Sequence, residues 1–214
     1  MIDRNKWQQD ELRVMRRTTA FPVKEMAALT FEHDDGVNNY ITNVAMQYVD
    51  NFSLIRQMQD NNGLILYGNV GTGKTFIAAC IVNALIDRGF ACYFTNFTRL
   101  INQVSGSYSG KQEFIDKLNN YELLVIDDLA AERETDYTHE IIFNVIDTRC
   151  SSRKPLIVTT NLTAEQLKNP DSEKKRRIYS RLLERCTPVE VKGNDRRKEK
   201  LKENYKGISE LLGL

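Results

Sequence analysis

Gly68-Asn69-Val70-Gly71-Thr72-Gly73-Lys74-Thr75 decides the reading of this chain. It satisfies G-x-x-x-x-G-K-[ST] at every fixed position, with a short apolar run before it and a long apolar stretch after it. That context is a strand, a loop and a helix, the setting in which the pattern carries chemistry. Glycines at 68, 71 and 73 let the backbone wrap closely, so that successive N–H groups converge on phosphate oxygens. The helix N-terminus that follows adds its own partial positive charge. Lys74 supplies a point charge for the terminal phosphates, and the Thr75 hydroxyl a ligand for magnesium. Asn69, Val70, Thr72 and Phe76 complete the stretch expected to surround a polyphosphate.

Outward from the loop, Leu64–Tyr67 reads as the first strand and Lys74 to about Arg88 as a helix stopped by Gly89. Upstream, apolar residues from Ile41 to Ile55 recur at helical spacing, predicting a helix over Asn39–Met58. Downstream, Ala91–Thr95, Leu123–Ile126, Leu156–Thr160 and Val189–Val191 read as four more strands. Helices are predicted between them: a broken one over Arg99–Asn120, then Asp136–Cys150 and Arg176–Cys186. Thr163-Ala164-Glu165-Gln166 is a capping box opening a short helix. Strands apolar on both faces, alternating with helices, predict an α/β domain: a five-stranded parallel sheet in three layers. Met1 to about Phe21 is polar and mixed in charge, and reads as an exposed helix or linker outside the core.

A second site feature follows from the third strand. Leu123-Leu124-Val125-Ile126 ends in Asp127-Asp128. Open α/β sheets bind their ligands at strand C-termini. Asp127 is expected to hold magnesium, and Asp128 to orient or activate an attacking water, with Glu132 as a less favoured substitute. A divalent ion lets two adjacent carboxylates tolerate each other. Many ATPases place Glu where Asp128 stands, so the shorter side chain argues against fast intrinsic turnover.

The bulk numbers set limits. A formal charge of +1 with 28% charged residues confines any nucleic-acid contact to a local patch. No apolar run approaches a membrane span and the N-terminus has no signal-peptide pattern, so a soluble, cytoplasmic protein is expected. Cys80, Cys92, Cys150 and Cys186 are scattered, and with only two histidines they form no zinc pattern; they are expected to be buried small apolar residues.

Leu64–Thr75, Leu123–Glu132 and Val158-Thr159-Thr160-Asn161, taken together, resemble the DnaC/DnaI bacterial helicase loaders and their IstB relatives, over roughly Leu29 to Lys202. The resemblance implies an AAA+ ATPase using ATP and Mg2+. It places an N-terminal extension at 1–29, an ATPase core at 30–192 and a short C-terminal helix at 193–214. It implies that Asn161 is sensor 1, and that Arg181 (with Arg177 second) is an arginine finger acting on a neighbouring subunit. Gly193-Asn194-Asp195-Arg196-Arg197 is similar to the family's Gly-x-Ser-x-Arg sensor 2 motif, with Asp195 in place of Ser and Arg197 reaching the γ-phosphate. With 17 residues after Arg197, a lid reduced to about one helix is expected. Arg99, Tyr108 and Lys111 lie in an insertion that the resemblance turns toward single-stranded DNA. Thr30-Phe31 resembles the linker near the adenine. The family's separate N-terminal helicase-binding domain does not fit in the residues before Thr30, which implies a trimmed ATPase module or a different grip on the partner.

The function implied is a loader that places a hexameric replicative helicase on single-stranded DNA and forms a homo-oligomer when ATP binds. The alternative is an IstB-type transposition helper acting on duplex DNA. A small-molecule kinase is disfavoured by the Thr160-Asn161 strand end and short tail, and a non-hydrolysing scaffold by the intact Lys74, Thr75, Asp127 and Asp128.

Overall fold

The computed structural model describes residues 4–105, 110–130 and 135–198, together with 201, 205, 209 and 212. Its centre is a five-stranded sheet in the order β2-β3-β4-β1-β5. The strands are β1 (Gly63–Tyr67), β2 (Cys92–Asn96), β3 (Leu123–Leu129), β4 (Leu156–Thr160) and β5 (Cys186–Glu190). Every strand pairing is parallel, as the unbroken apolar runs require.

Side chains alternate across the sheet. Leu64, Leu66, Leu123, Val125 and Ile157 face one core. Ile65, Leu124, Ile126, Leu156 and Val158 face the other. The first core is closed by α2 (Asn39–Asp50), α3 (Phe52–Ile55) and α4 (Lys74–Asp87). The second is closed by α5 (Phe97–Ser105), α6 (Lys111–Leu118), α7 (Asp136–Ser151), α8 (Ala164–Lys168) and α9 (Glu173–Arg185). This is the expected three-layer α/β arrangement. All four cysteines are free and buried within it.

Several boundaries differ from the periodicity reading, each for a local reason. The helix predicted over Asn39–Met58 breaks at Asn51, whose backbone leaves the helical region and which starts a second short helix. The helix predicted from Arg176 begins at Glu173, because the Ser172 side chain caps it by accepting from the Lys175 N–H. The last strand starts at Cys186, earlier than predicted; it carries Pro188, which an edge strand tolerates. The third strand does not stop at Ile126 but continues through both aspartates to Leu129.

The N-terminal reading needs correction. Residues Arg4–Ala20 form α1, and its end joins the core. Ala20 and Phe21 are 3% and 6% exposed, and the Phe21 ring lies 5.5 Å from that of Phe94. Arg17 pairs with Asp87 at the end of α4. The polar composition concealed this because, among the described side chains of the helix, Ala20 alone is buried.

At the other end, residues 196–198, 201, 205, 209 and 212 are helical. Tyr108 and Glu132 lie outside the described residues. No helix among the described residues is long and apolar enough to cross a membrane.

Candidate nucleotide site

The loop after β1 is built on three glycines in the left-handed half of backbone space. Gly68, Gly71 and Gly73 have φ of 137°, 79° and 97°, a region L side chains avoid. Two of them also face close neighbours. A Cβ on Gly68 would lie 2.7 Å from the Val191 carbonyl oxygen, and one on Gly71 would lie 1.9 Å from Asp195 Oδ1. The chain after β5 therefore crosses directly over the loop. The Arg196 N–H donates to the Gly71 carbonyl at 3.1 Å.

Lys74 begins α4 and is 5% exposed. Its ammonium donates to the Gly68 and Asn69 carbonyls at 2.8 and 2.6 Å. Burial lowers its pKa, against the opposing pull of the Asp128 and Asp127 charges. The Thr75 hydroxyl lies 3.0 and 3.1 Å from the two carboxylate oxygens of Asp127. A second hydroxyl, that of Thr159 on β4, donates to Asp127 Oδ1. Burial pushes the Asp127 carboxyl up to about 6, more than these hydroxyls and Lys74 pull it down. A buried carboxylate beside a threonine hydroxyl is a set of hard oxygen donors that suits magnesium, whose charge would offset the burial.

Lys74, Thr75, Asp128, Asn161 and Arg197 line one cavity of about 430 Å³, with Val70, Gly71, Gly73, Phe76, His33 and Arg196. Asp127 stands behind Thr75 at 7% exposure. Gly68, Asn69 and Thr72 face a second cavity of about 410 Å³ on the other side of the loop, which Asn161 also lines. Thus residues from β1, β3, β4 and the segment after β5 converge at the C-terminal edge of the sheet. Arg181 lines neither cavity. It sits on α9, with its Nε 2.9 Å from Asp147 and its Nη1 3.3 Å from Glu184. The Arg177 guanidinium lies 4.4 Å from the centroid of the Phe143 ring. Lys111 pairs with Glu140 at 3.1 Å, whereas Arg99 lines an open groove at the start of α5.

Three residues escaped the sequence reading. His33 lines the cavity; its Nδ1 is 2.9 Å from the Thr30 hydroxyl, so the cavity-lining side chain lies just past the Thr30-Phe31 pair. Arg196 pairs with Asp35 at 2.9 Å and lines the cavity beside Arg197. Thr159 is inside the quoted Thr-Thr-Asn stretch, but only the third dimension brings its hydroxyl to Asp127. Asp195, the departure from the sensor 2 pattern, accepts from the Arg197 N–H at 3.1 Å. A serine there would serve equally as a helix cap.

Residues 1–204 match the family model described as "IstB-like ATP binding protein". The chain is 24% identical over 209 residues to the replicative helicase loader DnaI of Bacillus subtilis (strain 168), covering 92% of this chain and 65% of that protein. It is 30% identical over 129 residues to the replicative helicase loader DnaC of Escherichia coli (strain K12), covering 58% of this chain and 50% of that one. The chain thus matches between about half and two thirds of the length of these relatives. The fold is shared with a crystal structure of a putative primosome component from Streptococcus pyogenes serotype M3, at TM-score 0.69 and 21% identity, covering 86% of this chain and 97% of that one. The chain belongs to the IstB-like ATP binding protein family.

Proposed function

We propose that this chain hydrolyses ATP with magnesium and uses the cycle to load a hexameric replicative helicase onto single-stranded DNA. The observation that carries the catalytic part is the meeting of Lys74, Thr75, Asp128, Asn161 and Arg197 at one cavity, with Asp127 bonded to Thr75 behind it. In this reading Lys74 exchanges its two carbonyl partners for β- and γ-phosphate oxygens. Thr75 and Asp127 hold magnesium, which supplies neutralising charge to the phosphates. Asp128 accepts a proton as water attacks the γ-phosphorus and the bond to the β–γ bridging oxygen breaks, giving ADP and phosphate. Asn161 orients Asp128 and the γ-phosphate, and Arg197 contacts that phosphate from the same chain. Arg181 completes a neighbour's site in an ATP-dependent homo-oligomer.

The loader reading is supported by the relatives named as helicase loaders; differential affinity between nucleotide states would drive it. The test combines a replicative helicase, circular single-stranded DNA and this protein, with and without ATP. ATP-dependent transfer of helicase to the circle is the expected result. A relative 28% identical over 137 residues and named as a putative ATP-binding protein in an insertion sequence supports a second reading, a transposition helper. Intact ATP turnover without helicase transfer, together with ATP-dependent filaments on duplex DNA, would select that reading instead.

A further inference from the structure

The β3–β4 ladder is regular through Ile126↔Val158, then shifts register before Leu129↔Thr160. Within this bulge Asp128 adopts φ 60°, an unusual conformation for a residue other than glycine. Such a backbone persists only where its surroundings hold it. Here two fully buried threonine hydroxyls of β4 do so. Thr160 donates to the Leu129 carbonyl at 2.8 Å. Thr159 accepts from the Asp128 N–H at 3.0 Å and donates to Asp127 Oδ1.

One hydroxyl therefore touches the backbone of one aspartate and the carboxylate of the other. Its single proton goes to Asp127 and its lone pair to Asp128, so the two bonds orient each other. Asp127 is a buried carboxylate, which needs such donors to remain oriented. We infer that Thr159 is a positioning residue: it aims the Asp127 carboxylate at the cation and locks the bulge that presents Asp128 to the cavity. The inference rests on the magnesium-dependent ATPase reading above. An ordinary buried strand threonine would lose little on replacement by valine, which has nearly the same shape and suits a strand.

The test uses the full chain with Thr159→Val, Thr159→Ala and Thr159→Ser. Manganese affinity is measured directly by electron paramagnetic resonance in the presence of a non-hydrolysable ATP analogue. Binding of fluorescent ADP is measured separately in EDTA. The valine and alanine variants should bind manganese about tenfold more weakly, the size typical of losing a partner that orients a metal ligand. Their ADP affinity in EDTA should be unchanged, their kcat should fall more than KM rises, and serine should restore both manganese affinity and kcat. Using two hydroxyl-free variants separates the hydroxyl from a packing fault peculiar to valine. Wild-type manganese affinity in either of them overturns the inference, as does a serine variant as weak as the valine one. A wild-type chain that binds the analogue but no manganese would overturn the magnesium site itself, a result distinct from the other two.

Discussion

Lys74 spends its charge on the Gly68 and Asn69 carbonyls, so binding a nucleotide means exchanging those partners for phosphate oxygens. Its burial makes the exchange favourable, since a desolvated ammonium gains most from an anionic partner. Lys74→Ala should therefore weaken binding of a fluorescent ATP analogue by about tenfold or more, on the scale of one charge-assisted hydrogen bond. Unaltered binding would place the nucleotide elsewhere. Arg149 is the structural counterpart. It is 1% exposed and donates to the carbonyls of Leu118, Tyr121, Glu122 and Pro155, with burial lowering its pKa to about 10. These bonds join the end of α6 to the starts of β3 and β4, at the sheet edge opposite the site. Arg149→Met should cost about 3 kcal/mol or more in urea unfolding, because several buried carbonyls lose their donor. Nucleotide affinity of the folded fraction should be unchanged; a lost affinity would show that this far edge communicates with the loop.

At the level of elements, the loop and its flanking strand and helix were legible because glycine spacing and apolar runs are local signals. So was the Thr163 cap, where both reciprocal bonds of the box form. The bulge in β3 was not legible. It depends on hydroxyls of a strand some thirty residues away, and no pattern within Leu123–Leu129 announces it. Arg149 was hidden likewise: the pattern that predicts a helix over Asp136–Cys150 says nothing of a buried cation in its last turn. Gly63 is a third case. It stands just before the strand predicted over Leu64–Tyr67, yet it is the first residue of β1, between β4 and β5. A Cβ there would lie 2.3 Å from the Leu156 carbonyl oxygen and 2.5 Å from Cys186 Sγ. Gly63→Ala should destabilise the chain by about 2–3 kcal/mol, as overpacking of a tight core does. Adding Cys186→Ala should not restore stability, since the Leu156 backbone remains in the way. Recovery of the wild-type melting temperature in the double variant would mean that the sulfur alone sets the limit.

Across the whole molecule, one sheet edge collects every group that the ATPase reading assigns to the chain's own nucleotide, while Arg181 lies apart on α9. Its contacts with Asp147 and Glu184 are those of a side chain about half exposed, 46% by side-chain area. Ion pairs of that kind contribute about 1 kcal/mol or less, so little holds Arg181 back from a neighbour. Arg181→Ala should leave ATP affinity of the dilute chain intact, yet abolish any rise of turnover with protein concentration. A mixture gives the sharper test. A Lys74→Ala chain keeps Arg181 but has a dead site; an Arg181→Ala chain keeps a sound site but lacks the arginine. If the arginine acts across a subunit boundary, the first chain completes the site of the second, and mixing the two variants restores the assembly-dependent turnover that neither has alone. An arginine that acts only within its own chain cannot produce that recovery. A mixture no more active than its components, under conditions where the wild type assembles, would remove Arg181 from the catalytic set and leave Arg177 as the next residue to exchange.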